Sequence, residues 1–210
     1  MKLIGMTVSD YLLSVASDAP APGGGSAAAL CGAQGSGLAA MVAKLTIGKK
    51  KYPDDQELCV RVAHEAENLA NALEAQIDKD TEAYNLISAA YKLPKETDEE
   101  KASRRKAIAD ATLVATDVPF ETLRMARQGL LLASSLVGHS NTNCASDLGV
   151  AALNLTAAAR GAWMNVLINV SGVSNESRKE EFLNAGKRLL TECETLGKET
   201  YAALLSSIGG

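Results

Sequence analysis

Residues 20–47, "PAPGGGSAAALCGAQGSGLAAMVAKLTI", decide the fold, because three consecutive glycines before a helix-forming run have two readings. In an α/β protein such glycines close a strand-to-helix turn around a phosphate, whereas in an all-helical protein they start a helix. Both phosphate motifs fail here. A P-loop ends in Gly-Lys-Ser/Thr, but Gly25 leads into Ser26, Ala27 and Ala28. Gly23, Gly25 and Ala28 keep the Gly-x-Gly-x-x-Ala spacing of a dinucleotide fingerprint, yet "SDAPAP" before them is no strand, and no alternation of strand and helix follows. The stretch therefore predicts a helix from about Ser26 to Ile47, stopped at Gly48. Its Ala28, Gly32, Ser36 and Ala40 recur every four residues and make a flat small-residue face, which marks a central helix packed on several sides.

Outward from this helix the same periodicity continues. Hydrophobic residues make up 47% of the 210 residues and aromatics only 4%, so the core is built from Ala, Leu, Val and Ile, which favours helix over sheet. Thr7 and Asp10 resemble a capping box ahead of a short amphipathic helix carrying Val8, Tyr11, Leu12 and Val15. From Pro53 to about Leu93, Leu58, Val62, Leu69, Leu73, Ile77, Tyr84, Ile87 and Tyr91 form one helical stripe, and Asp80 stands within it. A carboxylate on an apolar face must be paired, hydrogen-bonded or functional, because burying it bare costs several kcal/mol. Thr97 with Glu100 starts the next helix, which Pro119 is expected to kink or restart, giving a further stretch from Glu121 to Val137. The polar turn "GHSNTNCASD" precedes a long helix from about Ser146 to Val170, with Asn154, Gly161, Asn165 and Asn169 near one face and the only tryptophan at Trp163. A last helix runs from Glu176 to about Leu205 after Ser174-Asn175. The expected architecture is all-α, a single-domain bundle (residues 1–210) of about eight helices, and its small-residue faces predict a homodimer.

Several chemistries are excluded. The net charge of -4 with scattered basic residues, Lys49 to Lys51 apart, gives no footprint for nucleic acid. Cys31, Cys59, Cys144 and Cys193 lie far apart with no Cys-x-x-Cys pair, so no disulfide framework or zinc site is expected, and the setting is a reducing cytoplasm. The N-terminus has no long apolar signal core, and polar residues interrupt the apolar stretch from Gly149 to Val170, so no membrane association is expected. A di-iron bundle needs Glu-x-x-His twice, but Arg61 and Leu136 stand three residues before His64 and His139, the only histidines. Neither histidine belongs to a nucleophile motif, and no metal is expected.

"PAPGGGSAAAL", "MVAKLTIGKKKY", "DTEAY", "AYKLPKETDEEKA" and "NTNCASDLGVAALNLTAAARGAWMNVLIN" together resemble the cyclodeaminase/cyclohydrolase family of tetrahydrofolate enzymes across almost the whole chain. Ser140 departs from that pattern, in which Gly more often precedes Asn-x-Asn. The resemblance implies an all-helical, dimeric enzyme that hydrolyses 5,10-methenyltetrahydrofolate to 10-formyltetrahydrofolate. Its alternatives are a cyclodeaminase that expels ammonia from formiminotetrahydrofolate and a non-catalytic folate-binding scaffold. No tightly bound cofactor is implied, since the folate is the substrate. The absence of a formiminotransferase region favours the cyclohydrolase.

On that resemblance Asp147 and Asp80 are the candidate catalytic acids, able to stabilise the methenyl cation or take a proton from water, with a helix-start acid as the alternative for Asp147 and a buried partner to an arginine or helix end as that for Asp80. Pro22, Gly23, Gly24, Gly25 and Ser26 are a candidate substrate-binding turn, with a plain Ser26 N-cap as the alternative. Asn141, Asn143 and Asn165, with Asn169, have the donors and acceptors to meet a pterin edge, although the first two equally suit a turn. Lys49 and Lys50 suit the glutamate tail or a solvated helix end, and Tyr84 suits ring stacking or the core.

Overall fold

The computed structural model describes residues 2–209. Among these residues are six α-helices and no strand: α1 (Val8–Val15), α2 (Gly24–Lys44), α3 (Gln56–Tyr91), α4 (Asp98–Ser135), α5 (Ala145–Val170) and α6 (Glu176–Gly209), with 3-10 turns at Leu3–Gly5 and Thr142–Cys144. The all-α class is as expected, but the count of about eight helices is not. The chain was expected to break at Pro119, yet α4 runs through it without interruption. A proline inside a helix leaves the carbonyl four residues earlier without its donor. That carbonyl, Ala115 O, accepts a hydrogen bond from Asn169 Nδ2 of α5 at 2.7 Å. Asn169 is thereby committed to the fold, and its pairing keeps α4 in one piece.

Local signals mark the starts of α1 and α4. Thr7 Oγ1 accepts the Asp10 N–H at 3.1 Å. Thr97 and Glu100 close a reciprocal capping box, with Thr97 Oγ1 accepting the Glu100 N–H at 3.2 Å and Glu100 Oε2 accepting the Thr97 N–H at 3.0 Å. α2 differs: it begins two residues earlier than expected, its N-cap is Gly23, and no side chain of the cap closes it. Ser26 is therefore the third residue of the helix rather than its cap.

Successive helices run antiparallel. α2 lies between α3 and α5, α4 packs on α3 and α5 from the other side, and α6 lies across α4 and α5. The small face of α2 works as expected. A Cβ at Gly32 would sit 3.0 Å from Leu73 of α3, and one at Gly35 would sit 2.9 Å from the Ala151 carbonyl of α5. Leu73, Leu123, Leu130, Leu148 and Leu155 fill the main core. A second cluster of Val166, Val170 and Phe182 is bridged to the first by Trp163, which packs against Gly186.

Two expected faces come out differently. α1 buries only Tyr11, leaving Val8 78% and Leu12 59% exposed. Along α3 the stripe is buried as far as Ile77, but Tyr84 and Tyr91 are exposed. At 36 residues α3 outruns the 21 residues of α2, so its last turns have α4 alone to pack on.

Candidate functional site

A helix whose cap has no side chain still has N–H groups to satisfy at its first turn. In α2 the partner comes from a distant helix: the Ser26 N–H donates to Asp80 Oδ2 of α3 at 2.8 Å. Ser26 Oγ lies 3.0 Å from the same oxygen and 2.9 Å from the Ile77 carbonyl, within donating distance of both. The missing Cβ of Gly25 makes room for this contact. A Cβ there would stand 2.5 Å from Asp80 Cγ and 2.8 Å from Oδ2, and nearer still to Oδ1. Asp80 thus presses its carboxylate onto the positive end of α2, with Oδ2 held and Oδ1 taking no hydrogen bond from the described residues.

Burial pushes the Asp80 carboxyl above the ordinary carboxylate range, and the two Ser26 donors oppose that shift. The proton count of Ser26 bears on the same point. Its single hydroxyl proton can go to the Ile77 carbonyl or to Asp80, but not fully to both. When Asp80 is ionised the proton serves Oδ2; when Asp80 is protonated, its own O–H can donate to Ser26 Oγ, which then serves Ile77. Both protonation states leave this pocket satisfied.

Around Asp80 stand several of the residues expected from the sequence. Pro22 is buried after a cis peptide bond, and a Cβ at Gly24 would stand 3.6 Å from Asn165 Nδ2. Asn165 Nδ2 donates to the Gly161 carbonyl at 2.9 Å. Tyr84, one turn beyond Asp80 on α3, presents an exposed ring. Tyr11 has no signal of its own in the sequence beyond its place on an amphipathic helix. It packs on Ala29 and Ile77, its hydroxyl is buried without a partner among the described residues, and its pKa is raised by burial and by the nearby Asp80. A cleft of about 570 Å³ runs from Tyr11 between α1, α2 and α3, past Gln34 and Glu74.

Lys49, Lys50, Asn141, Asn143 and Asp147 lie elsewhere. They gather where α2 ends and α5 begins, at the opposite end of a helix about 32 Å long. There the loop after α2 is tied to the turn before α5. Thr46 Oγ1 accepts the Asn141 N–H at 2.9 Å, and the Tyr52 hydroxyl accepts the Thr142 N–H at 3.0 Å. Asn141 Oδ1 accepts the Asn143 N–H at 3.2 Å, so its side chain serves the turn. Asp147 sits half-buried in the first turn of α5, while Lys49 and Lys50 are exposed. Within one chain, Asp80 and Asp147 do not meet.

An all-helical bundle carrying a glycine-lined helix start against a half-buried acid defines the class, and comparison with known proteins agrees. The profile of the formiminotransferase-cyclodeaminase family matches residues 7–188, so the chain belongs to that family. It is 41% identical over 202 residues to a methenyltetrahydrofolate cyclohydrolase of Methylorubrum extorquens, covering 96% of this chain and 97% of that protein. It is 32% identical over 204 residues to the formimidoyltransferase-cyclodeaminase of Gallus gallus, covering 97% of this chain but 37% of that longer protein. The crystal structure of a formiminotetrahydrofolate cyclodeaminase from Thermotoga maritima superimposes with a TM-score of 0.81 at 27% identity, covering 100% of this chain and 98% of that one.

Proposed function

We propose that this protein is a tetrahydrofolate one-carbon enzyme that hydrolyses 5,10-methenyltetrahydrofolate to 10-formyltetrahydrofolate. The observation that carries this reading is the match at 41% identity along 97% of a protein named for that activity. The chemistry asks for a base beside a cationic carbon. Water adds to the carbon bridging N5 and N10, and its proton passes to the free Oδ1 of Asp80. The N5–carbon bond then breaks, N5 receives the proton back from Asp80, the carbonyl forms as its hydroxyl proton leaves to solvent, and one proton is released overall. Such general acid–base help is worth on the order of 10²- to 10⁴-fold. Oδ2 stays anchored by Ser26 while Oδ1 takes and returns the proton, and the negative charge stabilises the cation before attack.

The glycine turn from Pro22 to Ser26, with Tyr84 and Asn165, is proposed to meet the folate near Asp80. Asp147, Asn143, Lys49 and Lys50 are proposed to engage it from the basic end. The Thermotoga structure, matched along 98% of its length, favours a second reading, cyclodeamination of formiminotetrahydrofolate. Supplying each folate separately, with ammonia release measured alongside loss of methenyl absorbance, tests both. Faster methenyl hydrolysis supports the first reading, whereas ammonia without such acceleration supports the second. If neither folate changes, the scaffold reading stands. The same proposal includes a cytoplasmic homodimer that needs no tightly bound cofactor, nucleic acid or membrane. α2 is long and apolar enough to cross a bilayer, but it is clasped by α3, α4 and α5, which supports its role as a core helix.

A further inference from the structure

Of the eight residues of α1, only Tyr11 is buried, at 9% exposure. Its ring clusters with Leu3, Ala29 and Ile77. Val8, Leu12 and Leu13 stay exposed, so the seating of α1 on the bundle depends on this one ring. A phenylalanine would pack there equally well. The tyrosine adds a hydroxyl that is buried and has no partner among the described residues. Folded proteins keep few such groups, because each costs stability, and each calls for a reason.

The place of the ring supplies one. Ala29 lies three residues after Ser26 on α2, and Ile77 lies three residues before Asp80 on α3. The two helices run antiparallel, so the step from Ala29 to Ile77 is next to the step from Ser26 to Asp80, a rise of about 4.5 Å along the axis. Ile77 belongs to both steps, since its carbonyl lies 2.9 Å from Ser26 Oγ. Tyr11 therefore stands beside the acid pocket, between it and the cleft under α1.

The titratable groups around Tyr11 come from three helices. On α1, Asp10 is exposed and accepts the Thr7 hydroxyl at 2.6 Å. On α2, the Cys31 thiol is pushed up by burial and stays neutral. On α3, Glu74 is exposed at the rim of the cleft, and the buried Asp78 accepts the Leu3 N–H at 2.6 Å through Oδ1, with Oδ2 unpartnered among the described residues. Asp80 has one oxygen held by Ser26 and the other open. No lysine or arginine lines the cleft. Burial first, then the charges of Asp80 and Cys31, hold the proton on Tyr11 beyond the usual tyrosine range, so the hydroxyl is a donor at every working pH and feels the field of Asp80. A hydroxyl proton that no acceptor holds turns with the local field.

We propose that Tyr11 is a positioning residue for the Asp80 base: its O–H turns toward the Asp80 carboxylate and favours the ionised form that accepts a proton from water. Ser26 fixes where the carboxylate sits, and Tyr11 biases which of its two protonation states is filled before attack. The cost in stability of an unpartnered hydroxyl is then the counterpart of a base that is ready at lower pH. A donor dipole lost from a carboxylate raises it, here by roughly 0.5–1 pH unit.

Two experiments test this role. In the first, the protein is labelled with 3-fluorotyrosine, and the ¹⁹F signal of Tyr11 among the five tyrosines is assigned by its absence from Tyr11→Phe. The signal is expected to move with the titration of one acid, to keep that movement in Asp78→Asn and to lose it in Asp80→Asn. A Tyr11 signal that does not titrate, or that still titrates in Asp80→Asn, overturns the proposal. In the second, kcat/KM for methenyl hydrolysis is followed against pH. Tyr11→Phe is expected to shift the acid limb upward by about 0.5–1 unit, a loss of about three- to tenfold below the limb and less than about twofold above it, while Tm rises. An acid limb that stays in place, or a loss that is the same at every pH, overturns it. The kinetic half rests on the proposed folate reaction, whereas the ¹⁹F titration needs no folate. A wild type inactive on both folates refutes that reaction and leaves the ¹⁹F titration to decide the role of Tyr11.

Discussion

Gly25→Ala is the sharpest single perturbation of the Asp80 pocket. The added Cβ would stand 2.5 Å from Asp80 Cγ, about 1 Å inside ordinary carbon contact. The near neighbours are all carboxylate atoms, so the carboxylate must leave. Its departure ends the 2.8 Å bond from the Ser26 N–H and the 3.0 Å contact with Ser26 Oγ. Hydrogen bonds to a charged group contribute about 1.5–3 kcal/mol, and a helix-start N–H left unpaired adds to the loss, so roughly 2–4 kcal/mol is expected. For a chain of this length that corresponds to a fall in Tm of roughly 5–15 °C, read by thermal unfolding monitored at 222 nm. Methenyl hydrolysis should fall by about 10²-fold or more in kcat, because the base is displaced along with the cap. The control is Asp80→Ala, which removes the atoms that clash. In that background Gly25→Ala should cost well under ~1 kcal/mol, since alanine itself favours a helix. If the glycine substitution costs the same in both backgrounds, the contact with Asp80 is not the reason for Gly25.

Three further outcomes follow from other contacts. Asn169→Leu strips the donor from Ala115 O and should destabilise by about 1–3 kcal/mol; in a Pro119→Ala chain, whose restored N–H serves that carbonyl, denaturant titration should find most of the cost gone. Tyr11→Phe removes a buried hydroxyl without a partner among the described residues, so its Tm should rise by a few degrees, and a fall would show that the hydroxyl has a structural partner. Because the Asp80 carboxyl is raised by burial, the folded chain holds its proton to higher pH than the unfolded chain does; the resulting stability is full below the ordinary Asp range and is lost as pH rises through the raised value. Asp80→Asn stays neutral, so its Tm relative to wild type should improve from about pH 4 to about pH 7, and a constant difference between the two would rule this linkage out.

What the sequence made legible was local. Thr7 and Thr97 act within three residues, and the small face of α2 is a matter of spacing along one helix, so both are legible in the sequence alone. That α4 passes through Pro119 unbroken is not legible locally, because the remedy, Asn169, lies fifty residues away on α5 and nothing in the sequence near the proline names it. Tyr84 and Tyr91 matched a helical stripe, but exposure depends on how far α2 extends beside them, which periodicity along α3 alone does not encode. The motif resemblance picked out residues at both ends of the bundle without showing that they were two groups, because a linear motif has no record of which end of a helix it reaches.

The start of α2 explains why the glycines and the acid belong together. α1 and α4 are closed by threonines a few residues from the N–H groups they serve, and a Ser, Thr or Asp at position 23 would close α2 equally well, contributing about 1 kcal/mol. Gly23 forgoes that local cap, and Gly25 forgoes a side chain, so that the N–H of Ser26 can be met by Asp80. The helix is therefore closed by a group that is held above its ordinary pKa and partly withdrawn from water, a less stable arrangement than a threonine would give. A fold selected for stability alone has no use for this exchange; one that needs an acid at a fixed place, with one oxygen anchored and the other open, does. In this chain the cap and the proposed base are one residue. Loss of rate in an Asp80 variant is therefore informative only beside its Tm: Asp80→Asn, which keeps an acceptor for the Ser26 N–H, should hold the helix start and still lose turnover.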